Sequence, residues 1–369
     1  MSVIAPKGWC PGLYQPMATG DGLLVRINPP NATLRGDAAR QLAEAALRHG
    51  NGVIELTNRG AIQVRGLQQG TVQPFAAAMV KAGLADPDPE TERRRAVIVP
   101  PLANETVLAA AVRVEQALLS DPGLAALAAK FAVTVDGDDA LSLGDIGSDI
   151  HVTCRAETCS VRCMTTTASE VVAVAAVPDA VRQLALNLLG QPARRRVMPR
   201  TPKAIGPLPG GAFGLGLPFG AMTAAILASL ADLSEAYGDD TLRITPWRAC
   251  IIPDISVIGV GEICASGAGL GLIVDPSDPR LAVAACPGQP ACSRASVPAR
   301  RDALRLAEIG LSPTVHVSGC SKGCAHPGPA RVTLVGENGR YAIVRQGRAG
   351  ETPSVRDLTL EQIMTALEV

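Results

Sequence analysis

The chain has 369 residues, 47% hydrophobic but only 2% aromatic, and its 34 basic and 34 acidic side chains balance to no net charge. That length holds two or three domains with real cores, and the hydrophobic content argues against disorder. Balanced charge argues against generic nucleic-acid binding, which shows as a basic surplus, and any cofactor pocket must be walled mainly by aliphatic, polar and charged groups.

In chain order, Leu23–Ile27 reads as a strand, and GDAARQLAEAALRHG as a helix with Leu42, Ala43, Ala46 and Leu47 at helical spacing. Gly50-Asn51-Gly52 ends that helix. VIEL and AIQVRGL follow as strands across a break at Thr57-Asn58-Arg59-Gly60. Pro87 to Pro101 is charged and proline-bearing, with Arg93-Arg94-Arg95 just before an apolar VIV. A helix is expected over Glu105–Leu119 and a strand over Phe131–Val135, and Ala193–Gly211 reads as a Pro/Gly/Arg-rich linker. GLGLPFG, from Gly214, opens a further round: a helical stretch from Ala221, a turn at Gly238-Asp239-Asp240, TLRI, a break at Thr245-Pro246-Trp247-Arg248, and ACIIPDI. RRDALRLAEIG is helical, VTLVG and YAIVRQG form a hairpin about Glu337-Asn338-Gly339, and Asp357–Leu367 closes the chain as a helix.

The two rounds share one grammar: strand, helix, turn, strand, an arginine-bearing break, strand. Thr57 and Arg59 stand in the first break, Thr245 and Arg248 in the second. Any α/β protein alternates in this way, but the matched breaks favour a duplicated ferredoxin-like half. The fold expected is α+β.

No apolar run is clean and long enough to span a bilayer, and MSVIAPKGWCPG lacks a signal peptide's apolar core, so a cytoplasmic protein is expected. Ten cysteines in a reducing compartment point to metal or catalysis more than to disulfides, with several simply buried. ACPGQPAC carries Cys286 and Cys292, and GCSKGC carries Cys320 and Cys324. Four thiolates on glycine- and proline-rich loops can surround a cluster, with backbone N–H groups left free to face the sulfurs. Zinc suits Cys-x3-Cys but fits Cys-x5-Cys poorly, so spacing favours an iron–sulfur site without excluding zinc. Cys154, Cys159 and Cys163 lie close together in HVTCRAETCSVRC. A second metal site there is conceivable, although core strand residues are the plainer reading, and the same holds for Cys250 and Cys264.

This pattern resembles the siroheme-dependent sulfite and nitrite reductase superfamily, in which Cys-x5-Cys and Cys-x3-Cys hold a 4Fe-4S cluster on a duplicated ferredoxin-like core. Within it, WCPGLYQPMATGDGLLVRI, LTNRGAIQVRGL, LRITPWRACIIP, AALAAKFAVTVDGDDALSLGDIGSDI and VHVSGCSKGCAHPGPA resemble the precorrin-3B synthase family, monooxygenases of aerobic cobalamin synthesis. The resemblance covers essentially the whole chain. It implies ferredoxin-like halves at residues 1–85 and 206–268, related by a pseudo-twofold. Interleaved with them would be two reductase-type lobes at 86–205 and 269–369, the second holding the cluster on Cys286, Cys292, Cys320 and Cys324.

Superfamily residues that grip siroheme carboxylates fall, by motif, on Arg26, Arg59, Arg95 and Lys130; Arg65, Arg248 and Lys322 are further substrate-binding candidates by position. Arginine suits a polycarboxylate tetrapyrrole because its fork matches a carboxylate. Arg26 and Arg59 stand out because each interrupts or follows an apolar strand, where an unpaired charge is costly. Cys10 belongs to the family-like opening, and His326 stands beside Cys324, where a structural role and a contact with cluster or substrate are equally open. The superfamily's Lys-x-Lys is broken here, because Phe131 and Ala132 follow Lys130. That argues against sulfite or nitrite reduction and also weakens the assignment of Lys130.

By resemblance, the reaction is hydroxylation of precorrin-3A by dioxygen, with lactone formation, to precorrin-3B. It implies single electrons relayed from an external donor, an NAD(P)H-linked reductase or a ferredoxin, since no dinucleotide fingerprint follows a strand. It implies an iron near the substrate, a mononuclear non-haem iron whose ligands the sequence does not identify. A siroheme-dependent reductase and a non-catalytic iron–sulfur carrier are the alternatives.

Overall fold

The computed structural model describes residues 11–137, 141–166, 168–191, 204–310 and 314–367. Cys10 and most of the Ala193–Gly211 linker lie outside them. The first half-domain runs β1 (Met17–Thr19), β2 (Gly22–Ile27), β3 (Thr33–Arg35), α1 (Gly36–His49), β4 (Val53–Leu56), β5 (Ile62–Leu67) and α2 (Val72–Lys81). A lobe follows: α3 (Pro89–Arg94), β6 (Val97–Ile98), α4 (Glu105–Ser120), β7 (Val133–Asp136), β8 (Ile150–Arg155), β9 (Thr158–Cys163), β10 (Ser169–Ala173) and α5 (Val177–Asn187). The second half-domain comprises β11 (Gly206–Leu208), β12 (Ala212–Gly216), β13 (Ala221–Thr223), α6 (Ala224–Tyr237), β14 (Thr241–Ile244), β15 (Ala249–Ile252) and α7 (Val257–Gly269). The last lobe comprises β16 (Val283–Ala285), α8 (Ala299–Glu308), β17 (Val315–Ser318), β18 (Ala330–Glu337), β19 (Arg340–Gly347), β20 (Val355–Leu358) and α9 (Leu360–Leu367).

The two half-domains repeat element for element, and each completes the other's sheet. The first sheet is ordered β1-β2-β5-β4-β13 and the second β11-β12-β15-β14-β3. Strand β13 therefore leaves its own half to pair with β4, and β3 leaves its half to pair with β14. Alanine on α1 (Ala39, Ala43, Ala46) lets it pack closely on α6, and one apolar core runs through both halves. The arginine breaks are matching hairpins. Thr57 Oγ1 accepts from the N–H groups of Arg59 and Ala61, and Thr245 Oγ1 accepts from Trp247 and Ala249. Arg248 thus stands where the first hairpin has Gly60, and both are left-handed, at φ 60° and 69°.

The lobes are also alike. In each, three parallel strands are followed by two antiparallel ones, with a helix crossing from the first strand to the second. In the first lobe the loop after β7 is tied by Asp136, which accepts from Gly137 N, Ser142 Oγ and Leu143 N. In the last lobe the loop after β17 carries Cys320 and Cys324. The β18–β19 turn has Asn338 and Gly339 both at positive φ, as a tight hairpin requires. Cys154 and Cys159 face each other across β8 and β9 and form a disulfide inside the first lobe's core. They are the core strand residues expected, but bonded, because their antiparallel register puts them opposite one another. Cys250 is fully buried, its thiol pushed up to about 12 by burial. No described helix is long and apolar enough to cross a membrane.

Candidate functional site

Two loops carry the four cysteines, and glycines let them close together. Ser296 N donates to Gly319 O, joining loop to loop. Gly319 N donates to Cys286 Sγ at 3.2 Å, and Gly288 N also faces that sulfur. At Gly288, φ is 70° and a Cβ would lie 2.2 Å from Ala299 N, so only glycine fits. Burial is the largest influence raising the Cys286 thiol, the two backbone N–H groups oppose it, and Cys292 and Cys320 push it further up. Cys324 is exposed as a residue, yet protein atoms crowd its thiol; that crowding raises it first, Lys322 opposes, and the other three thiols add to the rise.

The four thiols therefore sit within electrostatic reach of one another, around N–H groups that stabilise negative sulfur. A cationic cluster would offset the burial that raises Cys286 and Cys324. Among the described residues no three His, Cys, Asp or Glu side chains gather closely enough to hold a metal ion. By chemistry, the four thiols of Cys286, Cys292, Cys320 and Cys324 on glycine loops are the soft donor set that would suit an iron–sulfur cluster.

The arginines divide into two groups. Arg26, Arg59 and Arg95 line a cavity of about 430 Å³ between the first half-domain and the first lobe. Arg93 and Arg94 line it too, so five arginines face two glutamates, Glu90 and Glu92. That basic balance suits an anionic ligand. Arg59 Nη2 donates to Phe131 O at 3.1 Å, while Arg95 is half-buried and paired with Glu92 and Glu115. Burial raises both glutamates, and Arg95 opposes it. Lys130 is exposed beside Phe131, and Lys322 is exposed on the Cys320–Cys324 loop.

Arg65 and Arg248 lie elsewhere, beneath the cysteine loops. Arg65, 4% exposed, forks onto Asp21 at 2.9 and 3.0 Å, reaches Glu55 at 3.3 Å, and donates to Ala291 O at 2.6 Å. Arg248 Nη2 reaches Ala325 O at 3.4 Å.

One sheet face joins the two groups. The register sets Arg26 opposite Gln63, Gln63 opposite Glu55, and Glu55 opposite Ala221. Strand alternation puts Arg65 on that same face, two residues from Gln63. The row begins at the cavity and passes through Glu55, which holds Arg300 of the last lobe at 2.6 Å.

Sequence reasoning did not single out His316. It is fully buried, its ring meets His326 edge-on at 5.7 Å, and neither ring nitrogen has a hydrogen-bond partner among the described residues. Burial first, then His326 and Arg248, push it down to about 3. Its counterpart on β7 is Thr134, which bonds His151 Nδ1 at 2.7 Å. No local motif marks such an exchange of residues between lobes.

A duplicated ferredoxin-like core bearing two such lobes defines a protein of nitrite and sulfite reductase type. Residues 15–82 and 209–263 match the nitrite/sulfite reductase ferredoxin-like half domain. The solved structure of the Mycobacterium tuberculosis NirA protein superposes with a TM-score of 0.68 over 94% of this chain and 79% of that one, at 18% identity, which speaks for the fold alone. Within this class the chain belongs to the precorrin-3B synthase family: it is 32% identical to the precorrin-3B synthase of a Sinorhizobium species, over 94% of this chain and 84% of that protein. The likeness to sulfite reductase [ferredoxin] 2 of Mycolicibacterium paratuberculosis is 31% identity over 32% of this chain and 23% of that protein.

Proposed function

We infer that this protein is a precorrin-3B synthase, an oxidoreductase acting in the cytoplasm. Its reaction would hydroxylate precorrin-3A with dioxygen and close a lactone to give precorrin-3B. One oxygen atom enters the substrate and the other leaves as water, consuming two electrons and two protons. The cluster, when bound, supplies those electrons singly from an external NAD(P)H-linked reductase or a ferredoxin. The observation that carries the reading is the polar row of the first sheet, which runs from a five-arginine cavity to Arg65 beneath the loops that carry the four cysteines.

In this reading Arg26 and Arg59 hold substrate carboxylates by charge-assisted hydrogen bonds. Arg95, already paired with Glu92, adds positive potential and fixes the cavity wall. Ala132 stands where the reductases have the second lysine of their Lys-x-Lys, so this chain lacks at that position the cation that would bind and protonate a small inorganic anion.

The test is turnover. Anaerobically reconstituted protein, given precorrin-3A, a reductant and oxygen, should form a product one oxygen atom heavier. No turnover with an intact cluster would overturn the reading, as would a siroheme Soret band in the purified protein. Cys320→Ser should remove the broad visible absorption and the activity together.

A further inference from the structure

We propose that Arg65 and Arg248 are positioning residues, one for each cysteine loop, and that their buried charges raise the reduction potential of the cluster. The inference rests on the cluster reading above and assigns these arginines away from the substrate.

Each guanidinium is bonded to a backbone carbonyl next to a ligand. Arg65 donates to Ala291 O, the residue before Cys292, and Arg248 to Ala325 O, the residue after Cys324. The Ala291 carbonyl takes a second donor, Gly20 N at 3.1 Å. Gly20 belongs to the tight Thr19–Gly22 turn between β1 and β2. A Cβ there would lie 2.3 Å from Pro290 O, so the turn lies flush against the Cys286–Cys292 loop. Arg65 has its Nε, Nη1 and Nη2 all engaged, which leaves it no fork for a ligand carboxylate.

The charges form one group. Arg65 bonds Asp21 and Glu55, Arg300 bonds Glu55, and Arg248 feels both Arg300 and Glu55. Three permanent cations face two carboxylates, leaving one net positive charge. Arginine keeps its proton in proteins, so this charge does not titrate away. In a low-dielectric interior it favours the more negative, reduced state of a nearby cluster.

Two opposed substitutions test the charge. In anaerobically reconstituted protein, a dithionite titration followed by EPR should give a lower potential for Arg248→Gln and a higher one for Glu55→Gln. A merely structural role would not give shifts of opposite sign. Equal potentials, or shifts of one sign, in variants with full iron content would overturn the electrostatic part. Arg65→Lys tests positioning, because it keeps the charge but loses the fork. Its potential should stay near that of the parent while iron passes to a chelator several-fold faster. Unchanged iron release would overturn the positioning role. The parent's iron content and visible spectrum are read first, and no bound cluster there would refute the underlying cluster reading instead.

Discussion

The two ferredoxin-like sheets are built alike yet covered differently. In the first, the row Arg26–Gln63–Glu55 is polar, runs on to Ala221, and is met by Arg300 of the last lobe. In the second, register places Gly214, Ile251, Arg243 and Thr33 in the same row. There the face is sealed: Ala249 and Ile251 pack with Ile98, Leu141, Leu143 and Ile146 of the first lobe. Arg26 enters a cavity, whereas its counterpart Gly214 has the Ala204 carbonyl where a Cβ would be, at 2.0 Å. Duplication made two equivalent faces. Apolar filling closed one, and charge left the other bordering a cavity.

The sharpest way to break this contrast is Arg65→Ala, which strips Asp21 of its ion partner and leaves Glu55 with Arg300 alone. A loss of about 3–5 kcal/mol is expected from removing one partner of a buried ion group, read by urea titration of the metal-free protein. Gly214→Ala attacks the sealed face, where backbone cannot yield easily; about 1–3 kcal/mol should be lost in the same assay. Arg26→Gln should leave the melting temperature nearly unchanged and weaken precorrin-3A binding about tenfold, or about 1.4 kcal/mol, in fluorescence titrations. The smallest effect is confined to acid. Burial alone would raise Asp21, but hydrogen bonds from Arg65 and Thr19 outweigh it and hold the carboxyl below its usual 3.8. Its stabilising share is therefore present above that value and lost as pH falls through the lowered one. Melting curves of the parent and Asp21→Asn should differ at neutral pH and converge as pH drops below 3.8.

Much of this was readable from sequence. The repeat, the crossing helices and the Asn-Gly hairpin follow from periodicity and turn chemistry, and the cysteine spacing marked the thiol loops. The exchanged strands were not legible, because three residues such as Thr33–Arg35 or Ala221–Thr223 carry no period and read as loop or helix start. The parallel drawn between Arg59 and Arg248 shifted by one residue, since Arg248 takes Gly60's left-handed place. The bonds of Arg65 and Arg248 were hidden for another reason: their partners are the carbonyls of Ala291 and Ala325, and a backbone atom leaves no trace in side-chain identity. The Cys154–Cys159 bond depended on a register that five-residue spacing alone does not set.

The exchanged strands also govern how the molecule comes into being. Strand β4 must wait for β13 of the second half, and β3 for β14, so a nascent chain cannot finish its first sheet until the second half has begun to leave the ribosome. Until then β4 has an unpaired edge, which is a template for aggregation. Cutting the gene between its repeats would therefore yield two incomplete sheets, each lacking an edge strand that only the other fragment can return.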